Sequence, residues 1–367
     1  SGQNLEAHAR FLAKRGVNMA RFHGFMQPRD KDSAVTDIEI GARNSCWRLV
    51  AAMKKAGIYT TISPYWANTV EIRSSWNVLG GDKQSTHGLL FFDPTLQRGY
   101  KAWLRQLYAE TNTETGIPLA QDPAVAIIQL QNEDSLLFWT TDRMGAAQRR
   151  ALGILFGQWL TNKCGSLQKA FLLWNREKHP DDAFEDGVVG LYMTWDLTQP
   201  QALGKARRIA HQLAFYSETM HKFNAEMERY LRDELGCKQL INAGNWRPAD
   251  MILMNDAERW SYTANAVIGV NRYYTGVHVG GSSGWAIDKG DFFTDISVLQ
   301  NPRAFPLNLK QVAGRAMIIS ESSWVPPLSF QSEGPFMVAA YSSLTGFDAF
   351  YWFTTGVAEW WQPTSAN

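Results

Sequence analysis

The sequence has few cysteines, no block of like charge and no long apolar run, and each of these shortages excludes a class of protein. Its three cysteines are Cys46, Cys164 and Cys237, and without a CxxC pair they indicate neither a disulfide framework nor a cysteine zinc site. Lys and Arg total 36 against 35 Asp and Glu, so no charge excess indicates a nucleic acid or an anionic membrane as partner. No segment approaches the roughly 20 apolar residues of a membrane span. What remains is a globular protein with a small or uncharged partner.

Histidine is scarce, and the common nucleotide-binding motifs are absent. The seven histidines include no His-x-His pair of the kind found in metal-dependent barrel hydrolases. No Gly-x-Gly-x-x-Gly follows an early strand pattern, and no Walker loop is present, which leaves a nucleotide-binding sheet without support. We therefore expect neither a metal nor an organic cofactor.

Tryptophan, by contrast, is abundant, with 15 residues. Several tryptophans lie next to predicted strand ends, namely Trp66, Trp76, Trp246, Trp324, Trp352, Trp360 and Trp361. Each of them alone is equally consistent with core packing. Flat apolar rings clustered at one end of a scaffold suit the faces of sugar rings, so the pattern favours a carbohydrate ligand.

Two glutamates stand where an apolar strand pattern gives way to polar and aromatic residues. Residues 125–134 read VAIIQLQNED and residues 317–324 read MIISESSW, which places Glu133 and Glu321 at the ends of buried strands. Burying an ionised carboxylate is costly, so such an acid needs a partner or a function. A salt bridge at a strand end would explain either glutamate alone, whereas the two together favour a catalytic pair.

Helix and strand patterns alternate along the chain. The strand patterns cover residues 17–25, 58–65, 124–132, 239–243, 266–274, 315–320 and 347–353. Helical patterns separate most of them, and residues 134–236 are predominantly helical. Repeated βα units build an open sheet or a closed barrel, and polar residues at the carboxyl ends of many strands are typical of the barrel. We predict one α/β domain over residues 1–367, a (β/α)8 TIM barrel with a helical elaboration over residues 134–236.

The pair Asn132-Glu133 and the later Glu321 resemble the catalytic motifs of the retaining glycoside hydrolases of clan A. These (β/α)8 enzymes carry an Asn-Glu pair on the fourth strand and a glutamate on the seventh. The resemblance implies that Glu133 is the acid/base and Glu321 the nucleophile. It also makes the first strand pattern here the barrel's second strand, so the barrel's first strand is expected outside the given sequence, in a longer parent protein.

Further segments match the same clan. Residues 16–21, GVNMAR, resemble the second-strand segment of family-five-like members, which implies that Arg21 contacts the nucleophile. Tyr273 resembles the tyrosine that hydrogen-bonds the nucleophile, and Trp352 the tryptophan that floors the sugar subsite next to the scissile bond. Residues 156–174 resemble the helix and turn that follow the acid/base in family-forty-two-like β-galactosidases. The exact family stays open.

Other residues are candidates for contact with the sugar. Asn132 is implied to bind the 2-hydroxyl group, and Asn271 stands where the family-five pattern has histidine, so its role is open. The remaining candidates are His23, Tyr65, Trp66 and Trp324. Each of these four has a structural interpretation of similar weight.

The resemblance implies a secreted or periplasmic retaining glycoside hydrolase that acts on a neutral β-linked glycan or oligosaccharide. Its two carboxyl groups should lie roughly 5 to 5.5 Å apart. A carbohydrate-binding pseudoenzyme and a transglycosylase on the same barrel are the alternatives. The sugar, endo or exo action and the oligomeric state stay open.

Overall fold

A computed structural model describes residues 2–28, 30–82, 84–282 and 284–355, apart from the side chains of residues 2 and 3. Trp360 and Trp361 lie outside these ranges. The strands in the described ranges are β1 Met19–His23, β2 Tyr59–Ser63, β3 Val125–Gln129, β4 Leu240–Asn242, β5 Val267–Asn271, β6 Val277–Val279, β7 Phe292–Thr294, β8 Ala316–Ser322 and β9 Ala349–Trp352.

Seven of these strands form one parallel sheet in the order β1-β2-β3-β4-β5-β8-β9. The sheet curls, because side chains from opposite parts of this order meet in its interior. Thr61 of β2 and Tyr351 of β9 share a hydrogen bond of 2.6 Å between their hydroxyl groups. The seven predicted strands and the predicted barrel architecture are confirmed, and β8 extends two residues beyond its predicted end.

The helices lie between the strands. They are α1 Gly2–Ala13, α2 Ile40–Lys55, α3 Pro94–Tyr108, α4 Ala146–Cys164, α5 Leu167–Leu173, α6 Thr194–Leu197, α7 Leu203–Arg229, α8 Asn255–Tyr262 and α9 Glu333–Thr345. Helix α3 begins with Pro94 after Asp93, whose side chain accepts a hydrogen bond from the backbone of Leu96, and such a cap satisfies a free N–H at the helix start. Helix α4 ends at Gly165, which adopts the left-handed conformation (φ 86°) that terminates helices. None of the helices in the described ranges is long and apolar enough to cross a membrane.

The helical elaboration after β3 consists of α4 to α7 and is held together by aromatic packing. Phe156 of α4 stacks on Phe215 of α7 with ring centres 5.1 Å apart, and on Trp174 at 6.4 Å. Phe223 of α7 meets Phe91, which lies before α3, at 5.4 Å. The apolar side chains of the elaboration and those of the barrel therefore belong to one continuous hydrophobic core.

A buried ion pair also fixes the elaboration, and it gives a prediction about stability. Arg208 of α7 is fully buried and donates to Asp182 at 2.8 and 2.5 Å and to the carbonyl of Gly190 at 2.8 Å. Asp182→Ala leaves the guanidinium without its counter-charge, so we expect the free energy of unfolding to fall by about 3 to 5 kcal/mol. Urea denaturation measures this change.

The control for this prediction is an exposed pair in the same region. Arg150 and Asp186 lie 2.8 Å apart with side chains 52% and 62% exposed, and exposed pairs contribute about 1 kcal/mol or less. Asp186→Ala should therefore change the urea midpoint little. Equal losses of unfolding free energy in the Asp182 and Asp186 variants would contradict the claim that burial makes the Arg208–Asp182 pair the more important one.

The antiparallel pair β6-β7 and the helix α8 are not predicted by the sequence. Each strand of the pair has three residues, and Gly276, Gly280 and Gly281 flank β6, so the period-two signal is too short to distinguish it from a loop. Helix α8 has eight residues, with a polar sequence (NDAERWSY). Both elements are defined by tertiary packing more than by their local pattern.

Candidate active site

Glu321 lies near the carboxyl end of β8, where it is 5% exposed. Its Oε1 accepts a hydrogen bond of 2.6 Å from Arg21 Nη1, and its Oε2 accepts one of 2.7 Å from the hydroxyl group of Tyr273. Burial and the charge of Glu321 raise the pKa of Tyr273 well above its usual value, so this hydroxyl group keeps its proton and remains a donor. The two donors offset the cost of burying the carboxylate.

Glu133 follows β3 and has a different environment. Its backbone adopts a left-handed conformation (φ 47°), which is unusual for a residue with a side chain, and its N–H donates to Asn245 Oδ1 at 2.9 Å. Its Oε1 accepts a hydrogen bond of 2.8 Å from Asn271 Nδ2. Burial, followed by the negative charge of Glu321, raises the pKa of Glu133 to about 7. Near neutral pH Glu133 therefore exists partly as the protonated acid.

The residues immediately after Glu133 hold its loop in place. Both carboxylate oxygens of Asp134 accept the N–H of Gly88, at 3.0 and 2.9 Å, and burial raises the pKa of Asp134 to about 7. The hydroxyl group of Ser135 donates to Glu258, a fully buried acid of α8, at 2.5 Å. These contacts support the strained backbone of Glu133 from its carboxyl side.

Arg21 of β1 connects Glu321 to Asn132, the residue before Glu133. Besides Glu321, it donates to Gln129 Oε1 at 2.8 Å, to Asn132 Oδ1 at 2.8 Å and to the hydroxyl group of Ser63 at 3.2 Å. Asn132 Oδ1 also accepts from Asn245 Nδ2 at 2.9 Å. The Asn132 amide is thus oriented by two donors, and its own NH2 group has no protein partner in the described ranges.

Asn271, whose role the sequence left open, is fixed in the same manner. Ser320 donates its hydroxyl hydrogen to Asn271 Oδ1 at 2.8 Å, so the NH2 group of Asn271 is the end that meets Glu133. The register between β5 and β8 shifts after Val270 and sets Asn271 beside Glu321. Asn271 therefore contacts Glu133 through its side chain and is the strand neighbour of Glu321.

His23 and Trp66 form the wall of the site on the side of β1 and β2. His23 Nδ1 lies 3.0 Å from the hydroxyl oxygen of Ser63, and its ring lies against the rings of Phe25 and Trp66 with centres 5.0 and 5.8 Å apart. Burial, helped by the charge of Arg21, lowers the pKa of His23 to about 3. This histidine is neutral at physiological pH, and it braces the wall through its ring contacts and Ser63.

Two of the predicted sugar contacts lie in the core instead. Tyr65 is 1% exposed and packs against Tyr100 and Trp103 of α3. Trp324 is 3% exposed and packs against Tyr274, and its indole N–H points to Glu333. Both rings are covered by protein in this structure, so neither presents a face on which a sugar ring could stack.

Trp352 at the end of β9 is accessible, with 44% of its surface exposed. Its ring lies on Phe350 and Trp324 with centres 4.8 and 6.0 Å apart. The neighbouring Phe353, 39% exposed, meets Tyr273 edge-on at 5.9 Å. An open aromatic surface therefore adjoins the tyrosine that contacts Glu321, and the sequence analysis did not identify Phe353 as part of it.

Other contacts of the site were also missed at the sequence level. They come from Ser63 and Gln129, which are uncharged and have no motif of their own. Their position at strand ends was the available signal. Across the described ranges, no group of three or more His, Cys, Asp or Glu side chains is arranged to hold a metal ion.

The sequence and the structure were compared with known proteins. Comparison of the sequence with protein-family models and with curated proteins gives no match in either set. The structure resembles a β-galactosidase from Bacillus circulans sp. alkalophilus, with a TM-score of 0.56 and 13% identity over 95% of this chain. It also resembles endo-β-1,4-mannanases from Thermotoga petrophila (TM-score 0.55, 11% identity, 97% of this chain) and Rhizomucor miehei (0.51, 8%, 96%).

Each match covers nearly all of this chain but a smaller share of the other protein. The chain spans 65% of the Thermotoga mannanase chain, 82% of the Rhizomucor mannanase and 48% of the galactosidase. At such low identity the similarity is one of fold. The chain therefore has the parallel (β/α)8-type barrel fold of these three structures.

Proposed function

We propose that this protein is a retaining glycoside hydrolase that cleaves a β-linked glycan or oligosaccharide, with Glu133 as acid/base and Glu321 as nucleophile. The observation that carries the proposal is the pairing of two glutamates in contrasting environments. Glu321 contacts a guanidinium and a phenol, whereas Glu133 contacts an amide and has its pKa raised by the charge of Glu321. A protonated acid beside an ionised carboxylate is the arrangement that glycosidic bond cleavage requires.

The fold and its relatives support this reading. Active-site residues of barrel enzymes lie at the carboxyl ends of the strands. Glu133, Asn245, Asn271 and Glu321 lie at or just beyond such ends, and the side chain of Arg21, from the middle of β1, reaches Glu321 there. The mannanases and the galactosidase named above act on β-linked sugars according to their names. The balanced charge of the sequence favours a neutral backbone.

In the first step Glu133 would donate its proton to the leaving oxygen while Glu321 attacks the anomeric carbon. The C–O bond breaks as a glycosyl ester with Glu321 forms, and the leaving group departs as an alcohol. In the second step the ionised Glu133 removes a proton from water, which displaces Glu321 and restores both carboxyl groups to their initial states.

The surrounding residues would divide the remaining tasks. Arg21 and Tyr273 orient Glu321 and hold its charge in the free enzyme. The NH2 group of Asn132, which has no protein partner among the described residues, would donate to the sugar 2-hydroxyl, a contact that strengthens in the transition state. Trp352 and Trp66 offer apolar faces for sugar rings. A single catalytic unit over residues 1–367 is part of this proposal, as is a location outside the cytoplasm where a polymeric glycan would be met.

The raised pKa of Glu133 gives a prediction about pH. Because the acid must be protonated, kcat/KM should fall above about pH 7, by about tenfold per pH unit. The hydrogen bond from Asn271 favours the ionised form of Glu133, so Asn271→Ala should raise the pKa of Glu133 and move the alkaline limb to higher pH. A pH–rate profile of wild type and variant measures this shift, and Asn44→Ala on α2 is the control. An alkaline limb that moves downward would contradict the role of Glu133.

The direct test of the function is hydrolysis of aryl β-glycosides and β-glycans, with proton NMR of the first product anomer. A β-anomer as first product supports the retaining mechanism. An α-anomer as first product would require an inverting mechanism. No hydrolysis across the panel, with sugar binding retained, would favour a binding protein on the same barrel.

A further inference from the structure

A fully buried acid lies next to the loop that carries the candidate acid/base, and it has no part in the two catalytic steps. Glu258 of α8 is 0% exposed, and it accepts the hydroxyl hydrogen of Ser135, two residues after Glu133, at 2.5 Å. Burying a carboxyl group is costly, and burial raises the pKa of Glu258. An acid kept in such a place indicates a function for its contact.

Ser135 is the residue through which this acid can act on Glu133. It is itself 0% exposed. Its hydroxyl oxygen accepts the backbone N–H of Leu137 at 3.0 Å, and its carbonyl accepts the hydroxyl hydrogen of Thr141 at 3.0 Å. Because the hydroxyl group of Ser135 donates to Glu258 while it accepts from Leu137, its orientation is fixed from both sides. The chain is therefore anchored two residues beyond Glu133.

Helix α8 also holds the strand end that contacts Glu133 from its other side. Tyr262 lies four residues after Glu258, on the same face of α8, and its hydroxyl oxygen accepts the backbone N–H of Trp246 at 3.1 Å. Trp246 directly follows Asn245, whose side chain accepts the backbone N–H of Glu133. One face of α8 is thus connected to both segments that support the backbone of Glu133.

The backbone of Glu133 needs this support because its conformation is strained. Its φ of 47° lies in the left-handed region, which a residue with a side chain adopts only where its surroundings hold it. A relaxed backbone would turn the carboxyl group away from Asn271, which donates to its Oε1 at 2.8 Å. A general acid must lie within hydrogen-bond reach of the atom that receives its proton, so a small displacement of Glu133 would lower the rate.

We propose that Glu258 is a positioning residue, which through its hydrogen bond with Ser135 keeps the strained backbone of Glu133 in place and aims its carboxyl group at the leaving oxygen. This inference rests on the proposed function, and it assigns to the reaction a residue too deeply buried to touch the substrate. The role concerns proton donation, because Ser135 belongs to the loop of Glu133, whereas Glu321 is held by a separate pair of donors.

Steady-state kinetics on two kinds of substrate test this role. Glu258→Met removes the hydrogen-bond acceptor at similar side-chain volume, and Ser135→Ala removes the donor. For unactivated β-glycosides, whose leaving alcohols need the proton, each variant should lower kcat/KM by about 10²-fold, as a misplacement of about 1 Å allows. For aryl β-glycosides with acidic phenols the loss should stay below about threefold. Glu258→Gln keeps an oxygen that can accept from Ser135, so it should restore kcat/KM for unactivated substrates to within about threefold of wild type.

The control is a hydrogen bond of the same kind in another part of the chain. Ser297 donates its hydroxyl hydrogen to Glu333, the first residue of α9, at 2.6 Å. Ser297→Ala should lower the midpoint of thermal unfolding, as Ser135→Ala does. It should leave the ratio of kcat/KM between activated and unactivated substrates unchanged. That ratio therefore reports the position of the acid and is not moved by lost stability alone.

The pattern of losses decides the proposal. Equal losses for both kinds of substrate in Glu258→Met and Ser135→Ala would overturn it, as would wild-type rates in both variants or a loss in Glu258→Gln as large as in Glu258→Met. The double variant should lose no more than the more damaging single variant, because the two side chains act through one hydrogen bond, and losses that multiply would contradict this. If circular dichroism shows that Glu258→Met does not fold, Ser135→Ala decides the test.

The outcome for the proposed function is read separately. Hydrolysis by wild type, with a dependence on the leaving group that Glu133→Gln changes and the Glu258 and Ser135 variants do not, would retain the reaction and reject the positioning role. If wild type hydrolyses no substrate of either kind, the proposed function fails, and the position of Glu133 is read directly from its carboxyl group.

Carbon NMR of isotope-labelled glutamate gives that second measurement. The signal of Glu133 is the one that disappears in Glu133→Gln. Its pKa, about 7 in the wild type, should fall by about one unit in Ser135→Ala, because a released loop exposes the carboxyl group to water. Ser297→Ala should leave this pKa unchanged. In a protein without hydrolysis, an unchanged pKa in Ser135→Ala would reject the positioning role as well.

Discussion

Replacement of Glu321 by alanine should lower kcat by about 10⁵-fold, for activated and unactivated β-glycosides alike. The variant lacks the carboxylate that would bond to the anomeric carbon, so neither kind of leaving group can be displaced by it. Arg21 loses its ion pair but keeps its hydrogen bonds to Gln129, Asn132 and Ser63. We therefore expect the variant to fold, which circular dichroism and thermal unfolding can verify.

Azide distinguishes the nucleophile from the acid/base in the same experiment. The alanine leaves space beside Arg21 and Tyr273, where a small anion can attack the face opposite the leaving group. One displacement inverts the anomeric centre, so a β-glycoside gives the α-glycosyl azide. In a Glu133 variant azide would instead intercept the glycosyl ester on Glu321, and a second inversion gives the β-glycosyl azide. The anomer of the azide product therefore shows whether the replaced glutamate is the nucleophile or the acid/base.

A surface glutamate provides the control for Glu321→Ala. Glu234 is 59% exposed in its pair with Arg105, and its replacement by alanine should leave kcat within about twofold of wild type, because exposed pairs contribute little. Substantial activity in Glu321→Ala without azide would contradict the assignment. Formation of the β-azide by that variant would assign the nucleophile to Glu133.

Strand positions were predictable where an apolar or β-branched run meets a clear boundary. Gly57 precedes β2 with φ 75°, a conformation that glycine adopts readily, and residues 125–128 of β3 are all apolar. The two catalytic candidates were predictable because an acid at the end of such an apolar run is costly to bury and so indicates a partner or a function. The resemblance of Asn132-Glu133 to a known motif then added the expected roles.

The resemblance implied the contacts of Arg21 and Tyr273 with Glu321, but the rest of the hydrogen-bond network was not predictable, because its partners meet only after the sheet has curled. Asn245 contacts Asn132 across two adjacent strand ends, and Arg21 also donates to Gln129 and Ser63. No local pattern encodes contacts between residues so distant in sequence. Asn271 is the clearest example, since in the sequence it is only a departure from a motif, while in the fold it contacts Glu133 and is the strand neighbour of Glu321.

The sequence also could not predict which aromatic side chains are exposed. Tyr65 and Trp66 are neighbours after β2, yet Tyr65 packs on Tyr100 of α3 while Trp66 lies beside His23. Successive side chains after a strand point to opposite sides, and which side becomes the core depends on where the helices dock. Residue type therefore identifies aromatic candidates, and only tertiary structure separates subsite from packing.

Replacement of Glu133 by glutamine should affect substrates according to their leaving groups. Glutamine can still accept the hydrogen bond from Asn271 but has no proton to donate at the pH of catalysis. For natural glycans, whose leaving alcohols are poor, we expect kcat/KM to fall by about 10³- to 10⁴-fold. For aryl glycosides with acidic phenols we expect a loss of less than about tenfold, since the phenolate leaves without a proton. Steady-state kinetics over a series of phenols measures the dependence on leaving-group pKa.

The pH profile of the same variant separates a lost proton from a disturbed structure. In wild type the alkaline limb reports the ionisation of Glu133, whose pKa is about 7, and the glutamine variant has no such group. Its kcat/KM for activated aryl glycosides should therefore be flat across this range, whereas a merely misplaced acid would keep the limb and lose rate uniformly. Equal losses of kcat/KM for all phenols, with the alkaline limb retained, would assign the proton to another group. Glu321→Ala supplies the contrasting pattern, because its activity should be lost for all substrates alike.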